Sequence, residues 1–169
     1  MINQRFQEEM FITLTHISKK TLQLGKDILD SDGMKYEKNL KHHGTISCYD
    51  HSVNVAEKSL KIVGFFSLKV NERALIRGAL LHDYFLYDWR LGGHRMHGFF
   101  HARAALDNAD KEFHLSSIEK DIIIRHMFPL NIRPPKYRES WIVCCADKIC
   151  AVMEFFSFFG IKKNNFFKR

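Results

Sequence analysis

An apolar run, Ala74-Leu75-Ile76-Arg77-Gly78-Ala79-Leu80-Leu81, ends on the polar pair His82-Asp83. Asn71 can cap such a run, which predicts a buried helix delivering an imidazole and a carboxylate into an apolar interior. Burying that pair costs on the order of several kcal/mol unless hydrogen bonds, an opposite charge or a metal ion compensate. The compensating groups must come from other segments, so the fold has to bring distant polar side chains to one interior point.

Helical signals recur along the rest of the chain. Phe6, Met10, Ile12, Leu14, Ile17, Leu22, Leu24 and Ile28 follow one another at mixed three- and four-residue spacing. They predict an amphipathic helix over about 3–29, breaking near Gly25 or at Asp30-Ser31-Asp32-Gly33. A polar, histidine-containing stretch runs through Gly44. Ser47-Cys48-Tyr49-Asp50 then has the form of a capping box, and Val53, Ala56, Leu60 and Val63 keep helical spacing behind it, with His51 in the first turns.

After the aromatic stretch Tyr84-Phe85-Leu86-Tyr87-Asp88-Trp89, Gly92-Gly93 should end regular structure, and an alanine-rich helix is expected from about His97 to Lys111. Ser116-Ser117-Ile118-Glu119 is a second capping box, opening a helix with Ile118, Ile122 and His126 on one face and Pro129 at its close. Beyond the stiff, basic loop around Pro134-Pro135, a long apolar helix is expected from about Tyr137 to Phe158, with Gly160 as its stop. The basic, aromatic tail from Lys162 reads as a terminus rather than a binding arm. No strand pattern, repeat or low-complexity tract interrupts this series. The expected fold is all-α, a single-domain helical bundle over residues 1–169.

Composition narrows the setting. At 169 residues, 46% apolar and 27% charged, the chain can bury one good core. No stretch approaches the roughly 20 apolar residues of a membrane span, and Met1 to Glu9 is too polar for a secretory signal. A cytoplasmic protein with no membrane partner is therefore expected. Cys48, Cys144, Cys145 and Cys150 contain no Cys-x-x-Cys pair and read as core thiols. The net charge of +7 favours an anionic partner. Because the cations are dispersed and no binding motif accompanies them, nucleic acid is the less favoured anion.

The metal-capable side chains fall on successive predicted helices: His51, then His82-Asp83, then His101, His126 and Asp147. One or two per helix among apolar neighbours is how a helical bundle builds a metal site from inward-facing side chains. Imidazole with carboxylate suits a divalent transition ion, iron or manganese foremost, with zinc, nickel, cobalt or magnesium as alternatives. One or two ions are expected; a carboxylate can bridge two ions and an imidazole cannot, so Asp83 is the expected bridge where there are two.

The order His51, His82-Asp83, Asp147 resembles the H...HD...D signature of the HD superfamily of metal-dependent phosphohydrolases, over about Tyr49 to Glu154. The resemblance implies a helical bundle with a two-metal centre, in which His51, His82, Asp83 and Asp147 form the common core and His101 and His126 complete the second position. It also implies hydrolysis of a phosphate ester by an activated hydroxide. Leu86 stands where HD-GYP phosphodiesterases place a lysine, and Met127-Phe128-Pro129 follows His126 in place of Gly-Tyr-Pro. A phosphomonoester or small phosphodiester, such as a nucleotide, is thus favoured over a cyclic dinucleotide.

For the remaining roles, His97 lies one helical turn before His101 and is the candidate for proton transfer beside Asp83. Arg95 and Lys148 are the preferred phosphate clamps, and Glu154, two turns from Asp147, can orient a ligand imidazole. His42-His43 and His94 sit in polar or glycine-flanked segments and are left out of the site. The alternative readings are a non-catalytic metal- or nucleotide-binding module and a basic nucleic-acid-binding protein. Sequence does not fix the oligomeric state.

Overall fold

The computed structural model describes residues 17–42, 46–88 and 97–166, without the side chains of 97–99 and 157–166. Eight helices occupy them: α1 (Lys19–Leu24), α2 (Lys26–Leu29), α3 (Asp32–Glu37), α4 (Cys48–Phe65), α5 (Glu72–Leu81), α6 (His97–Glu112), α7 (Ser117–Arg125) and α8 (Arg138–Phe166). No strand is present among the described residues; a single bridge joins Lys41 to Ser47. The all-α architecture is the expected one.

Most helix starts are set by local side chains that satisfy otherwise unpaired N–H groups. Ser18, Ser31, Ser47 and Asn71 accept from the backbone N–H of Thr21, Met34, Asp50 and Ala74. Ser116 and Glu119 form the full reciprocal box, with Glu119 Oε2 accepting from Ser116 N at 2.6 Å. At Ser47 the pairing is different, because its hydroxyl donates to Asp50 Oδ2 at 2.6 Å while accepting from Asp50 N.

Four helices close a ring. α4 packs on α5 and α8, and α7 packs on the same two, with α6 laid against α7. Its central member is α5, in which every residue from Ala74 to Leu81 is buried. The one charge in that run, Arg77, donates from Nε to Glu119 Oε1 at 2.5 Å and also bonds Asp27. A buried guanidinium is tolerable only with such partners. Through them α5 is tied to α2 and α7.

Two expectations change. The helix expected over about 3–29 breaks, in its described part, at Gly25, one of the two places anticipated, and Gly25 N–H returns to Thr21 O. Residues before 17 lie outside the description. The polar stretch before Gly44 contains α3, which buries Met34 and Glu37. α8 passes through Gly160 and ends at Phe166, since a helical glycine costs only about 1 kcal/mol and is no obligatory stop.

Candidate metal centre

His51 comes from α4 and Asp147 from α8, while His82 and His126 are the C-cap residues of α5 and α7. Each ring helix thus contributes one side chain to a common point. Asp83 follows directly from α5, and His101 reaches in from α6. Two helix C-termini facing one point favour positive charge there. All six residues are buried, and Asp147 is the most exposed at 8%.

The ring nitrogens are sorted by the backbone. His82 Nδ1 donates to Ala79 O, and His126 Nδ1 donates to Ile123 O, each at 2.8 Å. In the neutral ring, this leaves each Nε2 as a lone pair aimed at the carboxylates. His51 Nδ1 lies 3.0 Å from Glu154 Oε2 and its Nε2 lies 3.2 Å from Asp147 Oδ1. Glu154 therefore holds the His51 ring in the manner expected of it.

Asp83 occupies the middle. Its Oδ1 lies 3.2 Å from His101 Nε2 and 3.4 Å from His126 Nε2, while its Oδ2 lies 3.6 Å from His82 Nε2. His82 Nε2 in turn lies 3.7 Å from Asp147 Oδ1. Neither His82 Nε2 nor Asp83 Oδ1 has a hydrogen bond of acceptable geometry among the described residues. His101 Nε2 and His126 Nε2 approach to 2.9 Å. Two nitrogens held at about 2.1 Å from one ion at a right angle are about 3.0 Å apart, so this pair has ligand spacing.

Charges reinforce the arrangement. Burial opposes ionisation of Asp83, yet His82 and the close imidazoles of His101, His126 and His42 hold its carboxyl well below the usual range. Asp147 is likewise held low against burial, by His51 and His82. His126 is pushed down, chiefly by burial, which keeps its imidazole neutral as a ligand must be. His51 is raised to about 10 despite burial because Asp147 and Glu154 flank it, and Glu154 is lowered to about 2 by His42 and His51 against its own burial.

Ligand atoms from His51, His82 and Asp83, from His82, His126 and Asp147, and from Asp83, His101 and His126 each lie within 4.8 Å of one another. These buried groups can hold a metal.

The other predicted residues fare differently. Arg95 and the side chain of His97 lie outside the described residues, although His97 begins α6. Lys148 is not an open clamp: its Nζ donates to His126 O at 2.8 Å and to Cys144 O at 3.3 Å, closing the last turn of α7. Leu86 takes the left-handed conformation (φ 57°) and packs against the core.

Two residues were missed. His42, set aside as polar, lies 3.0 Å from Asp83 Oδ2 and stacks on His51 with ring centroids 3.8 Å apart. Glu37 is fully buried, and neither carboxylate oxygen has a hydrogen-bond partner among the described residues. Burial first, then Asp83, pushes its carboxyl well above the usual range. The local sequences, Met34-Lys35-Tyr36-Glu37-Lys38 and Lys41-His42-His43-Gly44, look solvated, and no periodic signal marks either residue.

Comparison with known proteins returned no matching family model, no matching curated protein and no matching solved structure. No membrane-spanning helix, long and apolar enough to cross, occurs among the described residues.

Proposed function

We propose that the chain is a metal-dependent phosphohydrolase of the HD type, acting on a phosphomonoester or small phosphodiester, with nucleotides the first substrates to test. The observation that carries this reading is the placement of Asp83, whose two oxygens face different imidazoles, Oδ1 toward His101 and His126 and Oδ2 toward His82. A carboxylate so placed is disposed to join two positions, one with His51, His82 and Asp147, the other with His101 and His126.

Bound divalent ions supply Lewis acidity, which lowers the pKa of water and stabilises charge developing on phosphate oxygens. The chain's own residues do the rest. The carbonyls of Ala79 and Ile123 fix the tautomers of His82 and His126, and Glu154 orients His51, so the rings are aimed before loading and His51 has only its Nε2 proton to give up. His97 is assigned proton transfer to the leaving group and Arg95 the phosphate clamp. Lys148 joins the clamp only by releasing His126 O.

The test is a phosphatase and phosphodiesterase panel with added Mn²⁺ or Fe²⁺, run alongside the double variant His82→Ala with Asp83→Ala. Metal-dependent hydrolysis by the parent protein and none by the variant is expected. Equal activity in both, or none in either under any metal, overturns the proposal.

A further inference from the structure

Three histidines of the centre follow one rule: Nδ1 is tied to an acceptor and Nε2 points into the cluster. His82 and His126 use carbonyls, and His51 uses Glu154. His42 is oriented the same way, although its Nδ1 lies beyond hydrogen-bond distance of Glu154. Its Nδ1 faces Glu154 Oε2 at 3.8 Å, and its Nε2 faces Asp83 Oδ2 at 3.0 Å.

The stacking with His51 explains how one carboxylate serves two rings. The planes are 21° apart with centroids 3.8 Å apart, and both Nδ1 atoms face Glu154 Oε2, His51 at 3.0 Å and His42 at 3.8 Å. Glu154 Oε1 has Asn54 Nδ2 at 3.5 Å as a further partner, which helps hold the carboxylate under the pair. His42 is 12% exposed at its side chain, far less than a solvated loop histidine.

The loop is built to put it there. His42 N donates to Ile46 O at 2.9 Å and Cys48 N donates to Leu40 O at 2.8 Å, which closes the segment back onto the start of α4. The ring is thus carried to the cluster from outside the helical ring, on the side where, among the described residues, Asp83 Oδ2 has only His82 as another imidazole neighbour within 4 Å.

We infer that His42 is a further metal ligand, binding through Nε2 at the position shared by Asp83 Oδ2, His51, His82 and Asp147, with Glu154 orienting both stacked imidazoles. This rests on the two-ion reading above and extends it: the centre takes five imidazoles rather than four, and its Asp83 Oδ2 side is closed by a loop instead of a helix. Glu154 is a positioning residue for two ligands, so its loss should disturb both rings together.

The experiment loads the full chain with Co²⁺ and compares it with His42→Ala and His42→Gln. Ion affinities come from calorimetric titration, and ligating imidazoles are counted as hyperfine-shifted, exchangeable ring N–H signals in the proton NMR spectrum. The parent protein should show one such signal for each of His42, His51, His82, His101 and His126. Both variants should lack one signal and bind one ion at least about 10-fold more weakly, with the other ion unaffected. Free imidazole should restore the lost affinity in His42→Ala. Thermal melts of the metal-free proteins check folding, and the glutamine variant keeps a polar side chain in the loop.

If the parent binds two ions while both variants keep the same signals and affinities, the assignment of His42 is wrong and the two-ion centre stands. A parent chain that takes up no Co²⁺ overturns both.

Discussion

Gly78→Ala should separate the two helices that set the spacing of His82 and His126. A Cβ at Gly78 would lie 2.4 Å from Ile122 Cδ1 and 3.0 Å from both Ile122 Cβ and Cγ2. The Cδ1 atom can rotate away. Cγ2 can shift by rotation about Cα–Cβ, but Cβ moves only with the backbone of α7, and ordinary carbon contacts begin at about 3.5 Å, so α5 and α7 must part by up to about 0.5 Å. One turn further along the same faces stand His82 and His126, with ring centroids 4.9 Å apart. Overpacking of this kind costs about 1–3 kcal/mol, against a gain of about 1 kcal/mol from alanine in a helix. The net expectation is a loss of about 0–2 kcal/mol, read by chemical denaturation of the metal-free protein. Metal affinity, read by calorimetry, should fall by at least about 10-fold, because a site must hold its donors to within about 0.5 Å. Gly64→Ala provides the control: nothing lies within 4 Å of its added Cβ, so the same substitution on α4 should stabilise. If both alanines stabilise equally and Gly78→Ala binds metal normally, the close crossing does not set the site.

Glu37→Gln should stabilise the protein, and more so at higher pH. A carboxyl whose folded pKa lies above its unfolded value of 4.5 costs stability as pH rises past that value, so the melting-temperature gain at pH 8 should exceed that at pH 4. An equal gain at both would contradict it. For His51, raised from 6.5 to about 10, the stabilisation is complete below pH 6.5 and is lost as pH climbs to 10. Melts in chelator should therefore fall over that window, whereas the gain from excess Mn²⁺ should grow between pH 6.5 and 8 as protons compete less for His51. Arg77→Ala, which leaves the buried Glu119 without its guanidinium, should cost about 3–5 kcal/mol in denaturant melts.

The helices were legible in the sequence because their signals are local. Ser47, Asn71 and Ser116 sit next to the N–H groups they cap, and the spacing of Val53, Ala56 and Val63 already states which face is buried. The metal-capable residues on helices were legible for the same reason, since helical period fixes that His51, His126 and Asp147 face inward. His42 and Glu37 were not. Their burial depends on a loop closed by Cys48 N on Leu40 O and on α3 packing against α4, contacts that no local pattern encodes. Lys148 fails as an open clamp for a similar reason: its neighbour in the chain is Asp147, but its amine answers to the carbonyl of His126, 22 residues away.

The central claim is that Asp83 joins two ion positions. Elemental analysis of the protein saturated with Mn²⁺ and freed of excess ion, beside Asp83→Asn, tests it most directly. Two ions per chain in the parent and at most one in the variant is the predicted result. An equal metal content in both proteins, or none in the parent, would contradict the account.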